Sequence, residues 1–164
     1  MFLFESIGRR AVIAVALGVI FVPAVSYAQS QPFAGMSGVW SGKGTISLEG
    51  GAQEAIRCRA TYAVRSDGNA LQQTLRCASD SYKIELTSNV VSDGGKLTGS
   101  WSEATRNVSG DVEGSTSGAR FNVVVRAGTF SANLALTTHG NSQSVVIRSE
   151  GGEFKGANIT LTRT

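Results

Sequence analysis

The chain has 164 residues, of which 20 are glycine and two are proline, with 16% charged residues and a formal net charge of +3. So mild a charge does not mark nucleic acid or a membrane surface as a partner, and no nucleic-acid role is expected. One histidine and two cysteines leave little material for metal or catalytic clusters, while abundant Gly, Ser, Thr and Val point to antiparallel strands joined by tight turns.

At the N-terminus, Arg9 and Arg10 precede the apolar run AVIAVALGVIFVPAV, and Ser26 and Ala28 place small residues around Tyr27 ahead of Gln29. Residues 1–28 therefore read as a secretory signal peptide. The run falls short of the ~20 residues a spanning helix needs, so no membrane span is expected after cleavage. The signal's form suggests a bacterial source, and the mature protein is expected in the periplasm or secreted, where disulfides are permitted. With Arg9, Arg10 and Glu5 gone, the charge falls from +3 to +2. The remainder fits one domain, with a flexible segment at 29–37 and a β-domain at 38–164.

The stretch RCRATYAVRSDGNALQQTLRC, residues 57–77, holds both cysteines around Asp67-Gly68, a two-residue hairpin signal. Centring the turn there makes Ser66 face Asn69 and, further out, Cys58 face Cys77, close enough for a disulfide. The register puts Ile56, Cys58, Ala60, Tyr62, Val64, Leu71, Leu75 and Cys77 on one face, which is the expected core. Arg57, Arg59 and Arg76 lie on the other, with Arg59 opposite Arg76. Like charges so placed repel, and this ladder is a candidate surface for an anionic or acidic protein partner. The plainer reading is a solvated face that Glu85 partly neutralises.

Later turns extend the pattern. A turn around Ser79 to Ser81 points Tyr82, Ile84, Leu86 and Val90 inward, and one at Asp93-Gly94 sets Leu86 against Trp101 and Val90 against Leu97. Turns at Arg106-Asn107 and Thr116-Ser117 pair Val112 with Trp101 and Phe121. Those at Ala127-Gly128 and Gly140-Asn141 set Val125 against Phe130, Phe121 against Leu134 and Leu134 against Ile147. The EGG triplets at 49–51 and 150–152 suggest longer loops or bulges, with Trp40 facing Tyr62.

The fold expected is all-β, an antiparallel up-and-down meander of about eight to ten strands closed or nearly closed into a barrel, which removes its edges. A β-sandwich is the alternative. Core-face glycines at 42, 44, 99, 110 and 114 would either leave room beside Trp40 and Trp101 or let strands bend sharply.

Candidate ligand-lining residues are Trp40, Tyr62, Gln73, Tyr82, Trp101 and Glu103, although the two tryptophans could equally be core plugs. An inward carboxylate needs a partner. Glu103 would hold a ligand, pair with an arginine such as Arg163, or lie wet at the barrel mouth. His139 sits at a predicted turn without a second histidine, free cysteine or carboxylate cluster, and no nucleophile elbow or phosphate loop occurs. No catalytic residue, metal or cofactor is expected.

The opening SGVWSGKG, with Gly38 and Trp40, resembles the Gly-x-Trp start of calycin barrels, the lipocalin and fatty-acid-binding group. In that family an arginine near the last strand stacks on this tryptophan, and Arg163 in ITLTRT holds that place. The resemblance implies a barrel closed between 38–48 and 154–163, with an internal cavity for a small apolar or amphiphilic ligand. The same opening with one disulfide is similar to small periplasmic inhibitors of secreted metalloproteases, which have eight strands. There QSQPFAGM, residues 29–36, would be the protease-inserting segment. A third reading is a small outer-membrane β-barrel, with the apolar face turned to lipid and the arginines lining a polar lumen.

Overall fold

Apolar and polar residues alternate with a period of two along ten strands, and in the computed structural model, which describes residues 31–164, those strands close on themselves. The signal-peptide reading of 1–28 lies outside the described residues. The strands are β1 (Gly38–Leu48), β2 (Gln53–Val64), β3 (Ala70–Ala78), β4 (Lys83–Asp93), β5 (Lys96–Glu103), β6 (Val108–Ser117), β7 (Arg120–Ala127), β8 (Phe130–His139), β9 (Ser142–Glu150) and β10 (Phe154–Arg163). Each pairs antiparallel with the next, and β1 pairs with β10, so the meander leaves no free edge.

Cys58 lies opposite Cys77 and is disulfide-bonded to it, with the Cα atoms 4.1 Å apart. The turn that sets this register differs in detail from the expected two-residue form. The connection spans Ser66–Asn69, closed by Arg65 N–H to Ala70 O at 2.9 Å and Gly68 N–H to Arg65 O at 2.8 Å. Gly68 takes positive φ. Asp67 does not; its carboxylate accepts from Asn69 N–H and the Arg65 guanidinium. The longer loop has the same centre, so the cysteines still meet.

Several other turns sit off the expected positions, because residues that tolerate positive φ decide where the chain reverses. Gly94 and Gly95, at φ 55 and 84, take the place of Asp93-Gly94, setting Leu86 against Glu103 and Val90 against Gly99. Asn107, at φ 52, ends a four-residue connection that sets Trp101 against Gly110 rather than Val112. Turns at Gly118 and Gly128 place Val125 opposite Val112 and Ala132, and Phe121 opposite Leu136. Trp40 faces Ala60, while its ring meets Tyr62 edge-on at 6.4 Å. At Gly140-Asn141 the expected pairing of Leu134 with Ile147 is found. Every displacement is by an even number of residues, so no side chain changes face.

The inward glycines serve bending rather than space. A Cβ on Gly42 would lie 1.9 Å from the Thr160 carbonyl oxygen, and one on Gly110 1.7 Å from that of Arg126. Neighbouring backbones approach there more closely than any side chain allows.

Of the 29–37 segment, the described residues 31–37 fold over one end of the barrel. Phe33 and Met36 are buried, Phe33 stacks on Phe121 at 5.6 Å, and the Met36 carbonyl accepts from Trp40 Nε1 at 2.8 Å. Burial of these two side chains offsets the entropy of a loose chain only together with the hydrogen bonds that tie the segment to Gly68, Trp40 and Arg163. The apolar set faces inward, and Val91 is the exposed large hydrophobic residue of the described chain. That polarity is the reverse of what a lipid-facing barrel requires. Among the described residues no helix is long and apolar enough to cross a membrane.

Replacing both Cys58 and Cys77 with serine should lower stability by about 3 kcal/mol, the loop-closure contribution of the cross-link. Urea denaturation of the double variant beside the oxidised protein measures this, and coincident curves would show that the hairpin is ordered without its bond.

Candidate functional site

Inward side chains of the barrel do not meet at its centre. They enclose a cavity of about 320 Å³, walled largely by aliphatic and aromatic residues. Phe33 and Met36 close one end. At the other, Tyr82 stacks on Phe154 at 5.9 Å and the Arg106 guanidinium lies 4.1 Å over the Tyr82 ring.

Register places one polar row across this wall. Tyr62 on β2 faces Gln73 on β3, Gln73 faces Ser88 on β4, Ser88 faces Trp101 on β5, and Trp101 faces Gly110 on β6. The Tyr62 hydroxyl donates to Gln143 Oε1 at 2.8 Å, and Gln143 Nε2 donates to Thr138 Oγ1 at 3.1 Å. Burial pushes the Tyr62 hydroxyl well above its ordinary pKa, with the Gln143 contact only partly opposing. Ser88 Oγ donates to Gln73 Oε1 at 3.1 Å. The Trp101 ring packs against Phe130 at 6.0 Å, and its buried Nε1 has no hydrogen-bond partner among the described residues.

Glu103 also lines the cavity, but its carboxylate is occupied. Oε1 accepts from the Glu85 N–H at 2.9 Å, the Thr105 N–H at 3.1 Å and Thr105 Oγ1 at 2.6 Å. Oε2 accepts from the Arg106 N–H at 2.9 Å, with Arg106 Nη1 at 3.4 Å. Burial alone would raise its pKa, yet these hydrogen bonds outweigh it and hold the carboxyl at about 2. Glu103 therefore caps the turn that follows it and pairs with Arg106, not Arg163. Arg163, one of the partners open to Glu103 on the sequence, is engaged elsewhere: its guanidinium stacks 4.5 Å over Trp40 and donates to the Ser37 and Gly35 carbonyls.

Of the residues singled out from the sequence, Tyr62, Gln73, Tyr82, Trp101 and Glu103 line the cavity. Trp40 does not: it is fully buried beneath Arg163 and the N-terminal cap, a core plug. Arg106 escaped the sequence reading because turns carry no periodicity, and Phe154 because the register shifts beside it; Phe33 and Met36 fell in a segment read as flexible or protease-inserting, not as a cap. Gln143 could have been found, because it shares inward parity with Val145 and Ile147 on β9.

Arg57, Arg59 and Arg76 lie exposed on the outer wall, away from the cavity. Arg59 stands opposite Arg76, Arg76 opposite Glu85, and Lys43 extends the row opposite Arg57. Glu85 itself pairs with Lys83 at 2.8 Å. His139 is exposed at the end of β8, and among the described residues no group of His, Cys, Asp and Glu is placed to hold a metal.

Because its folded pKa lies below the ordinary 4.5, Glu103 stabilises the fold fully above about that pH, and the contribution drains away as pH falls toward 2. Glu103→Gln should cost on the order of 3 kcal/mol at neutral pH. The gap from the parent should narrow near pH 3. A gap that stays constant in denaturation curves across this range would show that the carboxylate charge is not what holds the turn.

No protein-family model and no curated protein matches the chain in sequence. Solved structures match it in fold. Rv2717c from M. tuberculosis superimposes with a TM-score of 0.66 at 12% identity, covering 82% of this chain and 96% of its own. The S-type phycobiliprotein lyase CPES from Guillardia theta gives 0.59 at 10% identity, covering 80% and 90%. At such identities the likeness is one of fold alone, a closed antiparallel barrel.

Proposed function

We propose that this protein is an exported, non-enzymatic binding barrel for one small apolar or amphiphilic ligand. The observation that carries this reading is the cavity of about 320 Å³. Protein interiors close-pack with few voids larger than a water molecule, and a volume of this size falls in the range of small-molecule sites. Its wall is built from side chains such as Leu75, Ile84, Leu86, Val123, Leu134 and Leu136, which suit an apolar body. The described wall carries no histidine and no free cysteine, which favours holding a molecule over transforming it.

With Phe33 and Met36 sealing one end, a ligand would enter between Tyr82, Arg106 and Phe154 at the other. The leader at 1–28 would deliver the protein across a membrane. Protease inhibition through residues 29–36 draws no support from this arrangement. It would require Phe33 and Met36 to leave the core and Trp40 Nε1 to lose its acceptor.

Nile red, a neutral apolar fluorophore, should bind saturably with one site per chain. Leu86→Trp, which fills the cavity from β4, should weaken that binding at least about tenfold, or ~1.4 kcal/mol. Fluorescence titration of both proteins, with circular dichroism showing the barrel intact, decides the matter. Absence of saturable binding, or binding indifferent to the filled cavity, would remove the proposal.

A further inference from the structure

We infer that the ligand is a neutral molecule whose apolar body carries a hydrogen-bond acceptor, such as a ketone, ester or amide carbonyl, received by Trp101 and Gln73 on the cavity wall. This rests on the cavity-binding reading and names the ligand class for it.

The inference comes from which polar groups along the wall already have partners. The Tyr62 hydroxyl is spent on Gln143. Gln73 Oε1 already accepts from Ser88 Oγ, and the Glu103 carboxylate is occupied by donors of its own turn and by the Glu85 N–H of β4. The groups left over are donors. Gln73 Nε2 makes no hydrogen bond among the described residues, and the Trp101 indole, which can only donate, leaves Nε1–H buried and unpartnered on a residue 8% exposed. Buried polar groups are almost always satisfied, so an unpaired indole on a cavity wall points to an acceptor arriving from outside the chain.

The two donors belong to one site. Gln73 and Trp101 flank Ser88 in the same row, two strand spacings or ~10 Å apart, and both face inward. A carbonyl between them would lie mid-barrel, with apolar surface above and below.

Charge weighs against the anionic alternative. Arg106 is the cation of the wall, and its Nη1 already serves Glu103, Thr105 Oγ1 and the Lys83 carbonyl. Arg163 is held over Trp40 by the cap carbonyls. A carboxylate beside Trp101 would meet a cation whose charge Glu103 already balances, at a cost that a neutral carbonyl avoids.

Calorimetric titration of the full mature chain with methyl decyl ketone, dodecane and dodecanoate, matched in length, tests this. The ketone should bind more tightly than dodecanoate. Trp101→Phe should weaken the ketone about tenfold, the effect of one buried hydrogen bond, while leaving dodecane within about twofold. Gln73→Leu should act in the same direction, which keeps the test open if the first variant folds poorly. The indole N–H resonance of Trp101 should move downfield with ketone and stay in place with dodecane. Equal losses for ketone and dodecane would reduce Trp101 to packing, and tighter binding of dodecanoate would overturn the neutral class; either leaves the binding barrel standing. If none of the three binds although Nile red does, the carbonyl class falls and the binding barrel stands; if Nile red also fails, both readings fall.

Discussion

Arg163 lying over Trp40 ties the last strand to the first. The two residues are direct partners across the β1–β10 seam, and the guanidinium above the indole contributes on the order of 1 kcal/mol beyond the ladder itself. The same guanidinium holds the Gly35 and Ser37 carbonyls, and the indole N–H holds that of Met36. Closure of the barrel and closure of its end are thus one arrangement. Phe33 and Met36 are carried into the core by it, and the cavity acquires a floor.

Closure also makes the cavity unavoidable. Ten strands enclose more cross-section than their inward side chains fill, and the smallest inward residues are glycines that cannot be enlarged. A Cβ at Gly42, Gly99, Gly110 or Gly114 would strike a neighbouring carbonyl. The close approach of strands that curves the sheet therefore also withholds the side chains that would plug its centre. Against this apolar lining the row from Tyr62 to Trp101 stands out, because most of its polar groups are paired within the wall and the indole is not.

Much of the fold could be read from one hairpin. The symmetric spacing of Cys58 and Cys77 about Asp67-Gly68 sets a register, and the parity it defines holds through the later strands as far as the irregularity at the start of β10, where Phe154 turns inward out of step with Ala157 and Ile159. Which residue faces which was less legible. Gly94-Gly95 won over Asp93-Gly94 because two adjacent positive-φ positions satisfy a tight hairpin turn, and sequence alone does not rank overlapping turn signals. Tyr62, Gln73, Tyr82, Trp101 and Glu103 were placed on the inner face by parity, and they line the cavity. Trp40 has the same parity but sits under the cap, a distinction that depends on a segment with no strand pattern.

Local pattern thus determines which side of the wall a residue occupies, since alternation is a property of the strand itself. How far along the wall its partners lie, whether an inward carboxylate is free, and whether the middle of the barrel is filled depend on turns, curvature and closure, which are non-local. Glu103 shows the difference. Its inward position follows from parity, but its engagement with the Thr105 and Arg106 backbone arises only once the chain turns back over it. Likewise, Trp101 is legible as an inward aromatic, and only the assembled barrel leaves its indole N–H without a partner.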